Sequence, residues 1–206
     1  MNLRLLLALL CVGLFSCEGK KEIQLPKATF SVLSEVQDHS PIYFFFAKKG
    51  KDTVVEVNRK NSISSTNWIF SIDKRLPLRL VIPQIQILQA KKASSAHKSE
   101  TAQNYFAYAN DSLQTLAFTP FTNVVYSSSK TALQPNFVKI EVTKNGNLLF
   151  DSKPCSIQEI KALVLHSAQK IQLSFDASMN FETYLRTKLM LEKVCPNLLS
   201  DTQWIN

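Results

Sequence analysis

The chain has 206 residues, 45% of them hydrophobic and 19% charged, which is the balance of an ordinary folded globular protein. This length allows one large domain or two small ones with a real core. The formal net charge is +8, but the lysines are scattered along the chain. Scattered lysines predict a solvated basic surface and no nucleic-acid partner, with a dedicated patch for an anionic ligand as the alternative.

The first 17 residues are typical of a bacterial lipoprotein export signal. Arg4 supplies the positive start, an apolar run follows over residues 5–14, and the small residue Ser16 precedes Cys17. The run is too short to span a bilayer and is followed by polar residues. We therefore predict a signal peptide over residues 1–16 and a lipid such as palmitate on Cys17; a plain signal peptide is the alternative. Residues 17–28 are then a polar tether between the lipid and the folded body.

The next hundred residues predict a hairpin, a third strand and a helix. The expected elements are an apolar strand over 41–47 buried on both faces, a turn at Gly50, a returning strand over 53–57, a strand over 66–72 that ends at Asp73, and a helix from near Leu78 or Pro83 to Lys92. Pro83 suits the first turn of that helix, since proline has no amide hydrogen to donate further in.

The segment after this helix is read as a helical insertion. Residues 93–112 are polar and compatible with a helix, and residues 121–126 predict a strand that closes the first unit. Residues 128–135 are the expected linker.

The last third of the chain has clearer patterns. The expected elements are an alternating strand over 136–143, a hairpin at Asn145-Gly146, a strand over 148–150, a helix opened by a capping box at Ser156 and Glu159, a strand over 170–175 that ends at Asp176, and a helix from Phe181 to near Pro196.

The two halves look like copies of one unit. Phe70-Ser-Ile-Asp73 matches Leu173-Ser-Phe-Asp176, and each match follows a hairpin that turns on a glycine. We therefore expect an α+β protein with a first unit over 29–127 and a second over 136–206. In each unit a small hairpin-containing sheet carries one or two helices on one face.

Residues 137–194 resemble the periplasmic domain of the ExbD/TolR family in the order of strand, Asn-Gly hairpin, strand, capped helix, strand ending in aspartate, and helix. The resemblance implies the fold of that domain and a protein- or peptidoglycan-binding role without catalysis. Family members also carry a transmembrane helix with a proton-relaying carboxylate. The apolar run of this chain contains no aspartate or glutamate, so the resemblance does not extend to proton conduction.

The sequence offers few groups for catalysis or metal binding. His39, His97 and His166 have no cysteine or carboxylate at ligand spacing, and no glycine-rich phosphate loop is present. Cys155 and Cys195 are expected at opposite ends of the second sheet, too far apart for a disulfide. We predict no catalytic residue, metal or cofactor.

Asp73 and Asp176 are the candidate contacts for a ligand or partner, because each ends a strand in a repeated setting. The alternative is that each carboxylate caps the turn that follows it. We expect a non-enzymatic lipoprotein of the cell envelope, anchored in the outer membrane and facing the periplasm. Its expected role is an adaptor or accessory subunit of an outer-membrane or TonB-type transport assembly. A protein that binds peptidoglycan or another anionic glycan is the alternative, and a hydrolase would need a deep polar pocket around the two aspartates.

Overall fold

The computed structural model describes residues 21–128, 137–167, 170–196 and 198–206. The predicted signal peptide, Cys17 and all but the first residue of the predicted linker lie outside the described residues. Within them the chain is α+β, with two mixed sheets and three helices. The predicted fold class is therefore confirmed at this level.

The first sheet is built around a hairpin and two strands parallel to its first strand. Its elements are β1 (Lys27–Ala28), β2 (His39–Lys49), β3 (Asp52–Asn58), β4 (Asn67–Ile72), β5 (Asn104–Asn110) and β6 (Thr115–Pro120), with helix α1 (Leu78–Ala93) between β4 and β5. The strand order is β3-β2-β4-β5-β6, and β1 pairs with the last residues of β5.

The second sheet repeats this plan. Its elements are β7 (Val125–Ser127), β8 (Phe137–Val142), β9 (Leu148–Phe150), β10 (Lys153–Pro154), β11 (Lys170–Phe175) and β12 (Leu199–Ile205), with helices α2 (Ile157–Ser167) before β11 and α3 (Phe181–Val194) after it. The strand order is β10-β9-β8-β11-β12-β7.

The two sheets agree in the order and direction of their central strands. In each sheet, one strand of the hairpin lies towards the edge, and the other hairpin strand pairs in parallel with the next strand of the sheet. A helix then leads from that strand to another parallel strand. The agreement extends to single bonds: the Asp73 amide donates to the Phe44 carbonyl at 3.0 Å, and the Asp176 amide donates to the Val142 carbonyl at 3.1 Å. The matched tetrapeptides thus occupy equivalent places.

The two units meet where α1 and α3 begin. The Leu78 amide donates to the Met179 carbonyl at 2.9 Å, and the Phe181 amide donates to the Leu76 carbonyl at 2.8 Å. The alignment that places Asp73 on Asp176 also places Leu76 on Met179 and Leu78 on Phe181. These two bonds are therefore related by an approximate twofold axis. A second pair of bonds follows the same rule, from Arg79 to Ala177 at 2.9 Å and from Glu182 to Lys74 at 3.2 Å.

This junction explains why α1 forms without a side-chain cap of its own. Pro77 occupies its N-cap position and makes no side-chain hydrogen bond, but the first two helix amides, of Leu78 and Arg79, donate to carbonyls of the second unit. By contrast, the Ser156–Glu159 capping box opens α2 as predicted, and Asn180 caps α3 by accepting from the Thr183 amide at 2.8 Å.

One hydrophobic core runs through both units. Phe106 of β5 stacks on Phe121 with 3.7 Å between ring centroids and meets Phe181 of α3 edge-on at 5.2 Å. Phe181 belongs to the second unit and the other two rings to the first, so the units share a core.

Three expectations about the type or position of elements are wrong. The segment read as a helical insertion contains β5, because Phe106 and Tyr108 alternate into the core beside β4. The strand expected over 121–126 to close the first unit is instead β7, which begins at Val125 and pairs with β12 in the second sheet. Pro83 lies inside α1 and not in its first turn. Its ring leaves the Arg79 carbonyl without the usual helical donor.

The apolar strand β2 is not buried on both faces. Phe44 faces α1 and is fully buried, whereas Tyr43 on the opposite face is 37% exposed. We call the side of the first sheet away from α1 its outer face. Residues 25–36 cover part of it, where Val36 packs on Ile69 and Phe118 in a separate small cluster.

Candidate functional site

Asp73 is fully buried and its carboxylate is fully engaged. Arg75 donates to it twice from the guanidinium, at 2.8 and 2.7 Å, and once from its amide at 3.0 Å; the Gln24 amide donates at 3.2 Å. Burial alone would raise the pKa of this carboxyl, but the hydrogen bonds from Arg75 and Gln24 outweigh it and hold the pKa below its ordinary value. Asp73 thus closes its turn and fixes the tether beside it.

Asp176 occupies the equivalent turn in the second unit. It accepts from the Ser178 amide at 2.7 Å and from the Ser178 hydroxyl at 2.6 Å, and these bonds lower its pKa. Each aspartate therefore accepts from the amide two residues ahead, which is the turn-capping role weighed above. Their contact with a ligand or partner stays a prediction.

The other candidate groups do not converge. Cys155 and Cys195 are both free, as the strand-and-helix geometry predicted, and burial raises the pKa of each thiol. The Nδ1 atom of His39 lies 2.9 Å from the Val36 carbonyl oxygen, while the side chain of His166 lies outside the described part. Across residues 21–128, 137–167, 170–196 and 198–206, no three potential metal ligands come together.

A groove with a volume of about 700 Å³ runs along α3. The helix supplies one wall, β1 with the following Phe30 supplies another, and the Asn145-Gly146 turn borders it. Gly146 has a φ of +85°, and a Cβ there would lie 3.0 Å from the Thr183 methyl carbon, so only glycine lets this turn approach α3 so closely. We call this cavity the α3 groove.

Charged side chains of both signs border the α3 groove. Lys27 pairs with Asp111 at 2.7 Å, and the Lys27 amide donates to a Glu182 carboxylate oxygen at 3.2 Å. Lys193 lies over the Phe30 ring, 4.6 Å from its centroid. The groove thus combines apolar surface with a rim of both charges.

A buried chain of polar groups ties α3 to the strands beneath it. Tyr126 of β7 donates to the Tyr184 hydroxyl of α3 at 3.0 Å, and Tyr184 donates to the Gln203 side-chain oxygen at 2.7 Å. Burial raises the pKa of both tyrosines, so they stay neutral hydrogen-bond donors even in alkaline solution. One turn further along α3, Lys188 is fully buried and paired with Glu192, which borders a second groove of about 490 Å³.

A second buried amine lies at the end of α1. Lys92 is 7% exposed and donates to the Gln103 carbonyl at 3.2 Å and to the Asn104 side-chain oxygen at 3.0 Å. Its ammonium lies 5.0 Å from the centre of the Trp68 ring, and burial lowers its pKa to about 8. It borders a third groove of about 470 Å³.

Neither buried lysine was among the functional residues predicted from the sequence. Lys188 falls at helical spacing within the apolar stripe of α3, four residues before Glu192, and this pattern was the available signal for a buried ion pair. Lys92 likewise follows Leu88 on the buried side of α1.

Comparison with known proteins identifies no relative. No protein-family model, no curated protein and no solved structure matches the chain. Among the helices that the structure describes, none has both the length and the apolar character needed to cross a membrane. The resemblance to the ExbD/TolR family therefore rests on the order of elements alone.

Proposed function

We propose that this protein is a lipid-anchored accessory protein of the bacterial cell envelope that binds a partner protein in the α3 groove. The groove carries the proposal because it combines apolar surface with charged side chains of both signs around a volume of about 700 Å³, as protein interfaces combine an apolar centre with a polar rim. Met190, at 37% exposure, offers the kind of half-exposed flexible side chain that such contacts use. The anchor is assigned to Cys17 on the sequence of the first 17 residues.

The charges around the groove favour a protein over an anionic glycan. Lys27, Arg186 and Lys193 are accompanied by Asp111 and Glu182 in the same lining. Two carboxylates beside three cations would repel part of a polyanion, whereas a protein surface with both signs of charge matches them. Binding of peptidoglycan or another anionic glycan is therefore the second candidate.

The order of elements in the second unit supports an ExbD/TolR-like assignment. The hairpin, capped α2, β11 with Asp176 directly after it, and α3 follow one another as in the pattern that carries the resemblance. The first unit shows the same central strand order without the capped helix. On this basis we assign the chain to outer-membrane or TonB-type transport assemblies, as a periplasm-facing adaptor that does not conduct protons.

The proposal is tested by placing a photoreactive amino acid at Met190 of the full chain in its own cells. A matched control is available, because Ile87 takes the equivalent place on α1, is 51% exposed and lies outside the α3 groove. We expect a crosslink to one defined envelope protein from position 190 and not from position 87. Arg186→Glu should weaken it, because it reverses a charge on the rim.

Two results would contradict the proposal. Equal crosslinking from both positions would show that the α3 groove is not the binding surface. Retention of the chain by isolated peptidoglycan, lost with Arg186→Glu and without any protein crosslink, would replace the adaptor with the glycan-binding protein.

A further inference from the structure

The outer face of the first sheet exposes aromatic surface at its hairpin. Tyr43 and Phe45 of β2 have ring centroids 6.0 Å apart, with Tyr43 37% exposed and Phe45 half-buried. Glu56 of the edge strand β3 pairs directly with Phe45, so it lies on the same face. We call these three residues the hairpin patch.

The first described residue of the tether, Lys21, contacts this patch. Lys21 forms an ion pair with Glu56, and three residues later the backbone of Gln24 is fixed by bonds to Asp73 and Lys74. The tether therefore contacts the first sheet at Lys21 and again at Gln24. Lys21 follows Cys17 by four positions along the chain. At about 3.5 Å per residue they reach at most about 14 Å.

A lipid on Cys17 would bring the membrane to the hairpin patch. With its acyl chains in the bilayer, Cys17 lies at the headgroups, so the membrane surface is within about 14 Å of the Lys21 backbone. Lys21 contacts Glu56 on the outer face of the first sheet, and Tyr43 and Phe45 lie on the same face. Tyrosine favours the membrane–water interface, where its ring contacts apolar chains and its hydroxyl contacts water.

The charge of the hairpin suits an anionic surface. Residues 48–60 contain five lysines and arginines against two carboxylates, and all five cations are exposed. Lys49 and Lys51 flank the turn at Gly50. Each basic side chain near an anionic bilayer contributes about 1 kcal/mol to the free energy of membrane binding, which corresponds to about a fivefold change in affinity for the bilayer.

We propose that the hairpin patch rests on an anionic lipid surface, so that the first sheet lies outer face down on the membrane and α1 points away from it. This orientation rests on the lipid anchor of the proposed function. It is independent of which partner occupies the α3 groove.

The test uses the full lipidated chain, carrying Cys155→Ser, in vesicles of phosphatidylcholine with and without phosphatidylglycerol. A fluorophore is attached at Tyr43→Cys or, as the control, at Ile87→Cys on the exposed side of α1, and is quenched by nitroxide-labelled lipids. We expect several-fold stronger quenching at position 43 than at position 87 in anionic vesicles. Lys49→Glu and Lys51→Glu should each weaken the contact about fivefold or more.

The outcomes separate the two proposals. If Cys17→Ser releases the chain from membranes but positions 43 and 87 are quenched equally, the anchor stands and the orientation is refuted. If the Cys17→Ser chain stays bound as the wild type does, the anchor fails and the orientation fails with it. A protein crosslink from position 43 without lipid quenching would make the patch a protein interface, and would also refute the orientation.

Discussion

Replacing the buried Lys92 should change how stability depends on pH. Burial lowers the pKa of this amine from 10.5 to about 8 in the folded chain, whereas in the unfolded chain the amine keeps its ordinary value. Between these values the unfolded state binds a proton that the folded state does not, so the free energy of unfolding rises with pH. The pKa difference corresponds to about 3 kcal/mol, at about 1.4 kcal/mol per pKa unit.

The Lys92→Met variant isolates this contribution. Methionine fills similar space without an amine. The variant therefore lacks the hydrogen bonds to Gln103 and Asn104, but it also avoids the free-energy cost of burying a charge. Urea unfolding of both proteins is followed by tryptophan fluorescence, which is apt because Trp68 lies under the amine. From about pH 7 to about pH 10.5, the stability of the wild type should rise relative to the variant by about 3 kcal/mol.

Taking the difference in the free energy of unfolding between the two proteins cancels the contributions of all other titrating groups, because both proteins contain them. Lys91→Met is the matched control, because Lys91 is the exposed neighbour and the buried amine remains in place. Its pH profile should run parallel to that of the wild type. Parallel profiles for Lys92→Met as well would refute the reasoning, as would a wild type that loses stability relative to the variant on alkaline titration.

Three further substitutions test the packing and the polar groups by urea unfolding. Gly146→Ala should cost about 1 kcal/mol more than Gly50→Ala, because both residues have positive φ but only the first would press a Cβ on Thr183; equal losses would contradict this. Tyr184→Phe should cost about 1–3 kcal/mol, since it leaves a buried glutamine oxygen unpaired, and more than Tyr126→Phe. Asp73→Asn should cost about 2 kcal/mol at neutral pH. That loss should vanish as the pH falls through the lowered pKa of the wild-type carboxyl, and a loss that persists in acid would exclude the ionic role.

The elements that the sequence could predict are those set by neighbouring residues. The capping box at Ser156 and Glu159 begins α2, and the strand over Lys170–Phe175 has the predicted bounds. The hairpin at Asn145-Gly146 is also present, although only Gly146 takes a positive φ there. Such features depend on a few consecutive side chains, so no distant partner is needed to specify them.

The elements that the sequence could not predict take their conformation from distant partners. β5 starts with a buried Asn104 and is mostly small or aromatic, and it becomes a strand because β4, β6 and β1 all pair with it. β12 is largely polar until Gln203, and it forms between β11 and β7. The alternation of apolar and polar residues within such segments is weak, so pairing with neighbouring strands determines whether they form a strand.

The α3 groove also depends on distant parts of the chain, because neither unit contains it alone. Its walls are β1 from the first sheet and α3 from the second, joined by the bond from the Lys27 amide to Glu182. The same helix starts at the junction where Phe181 bonds to Leu76, so the position of α3 depends on the first unit. A single unit would lack both contacts. If the groove binds a partner, the reason for two joined units in one chain is that their junction builds the binding surface.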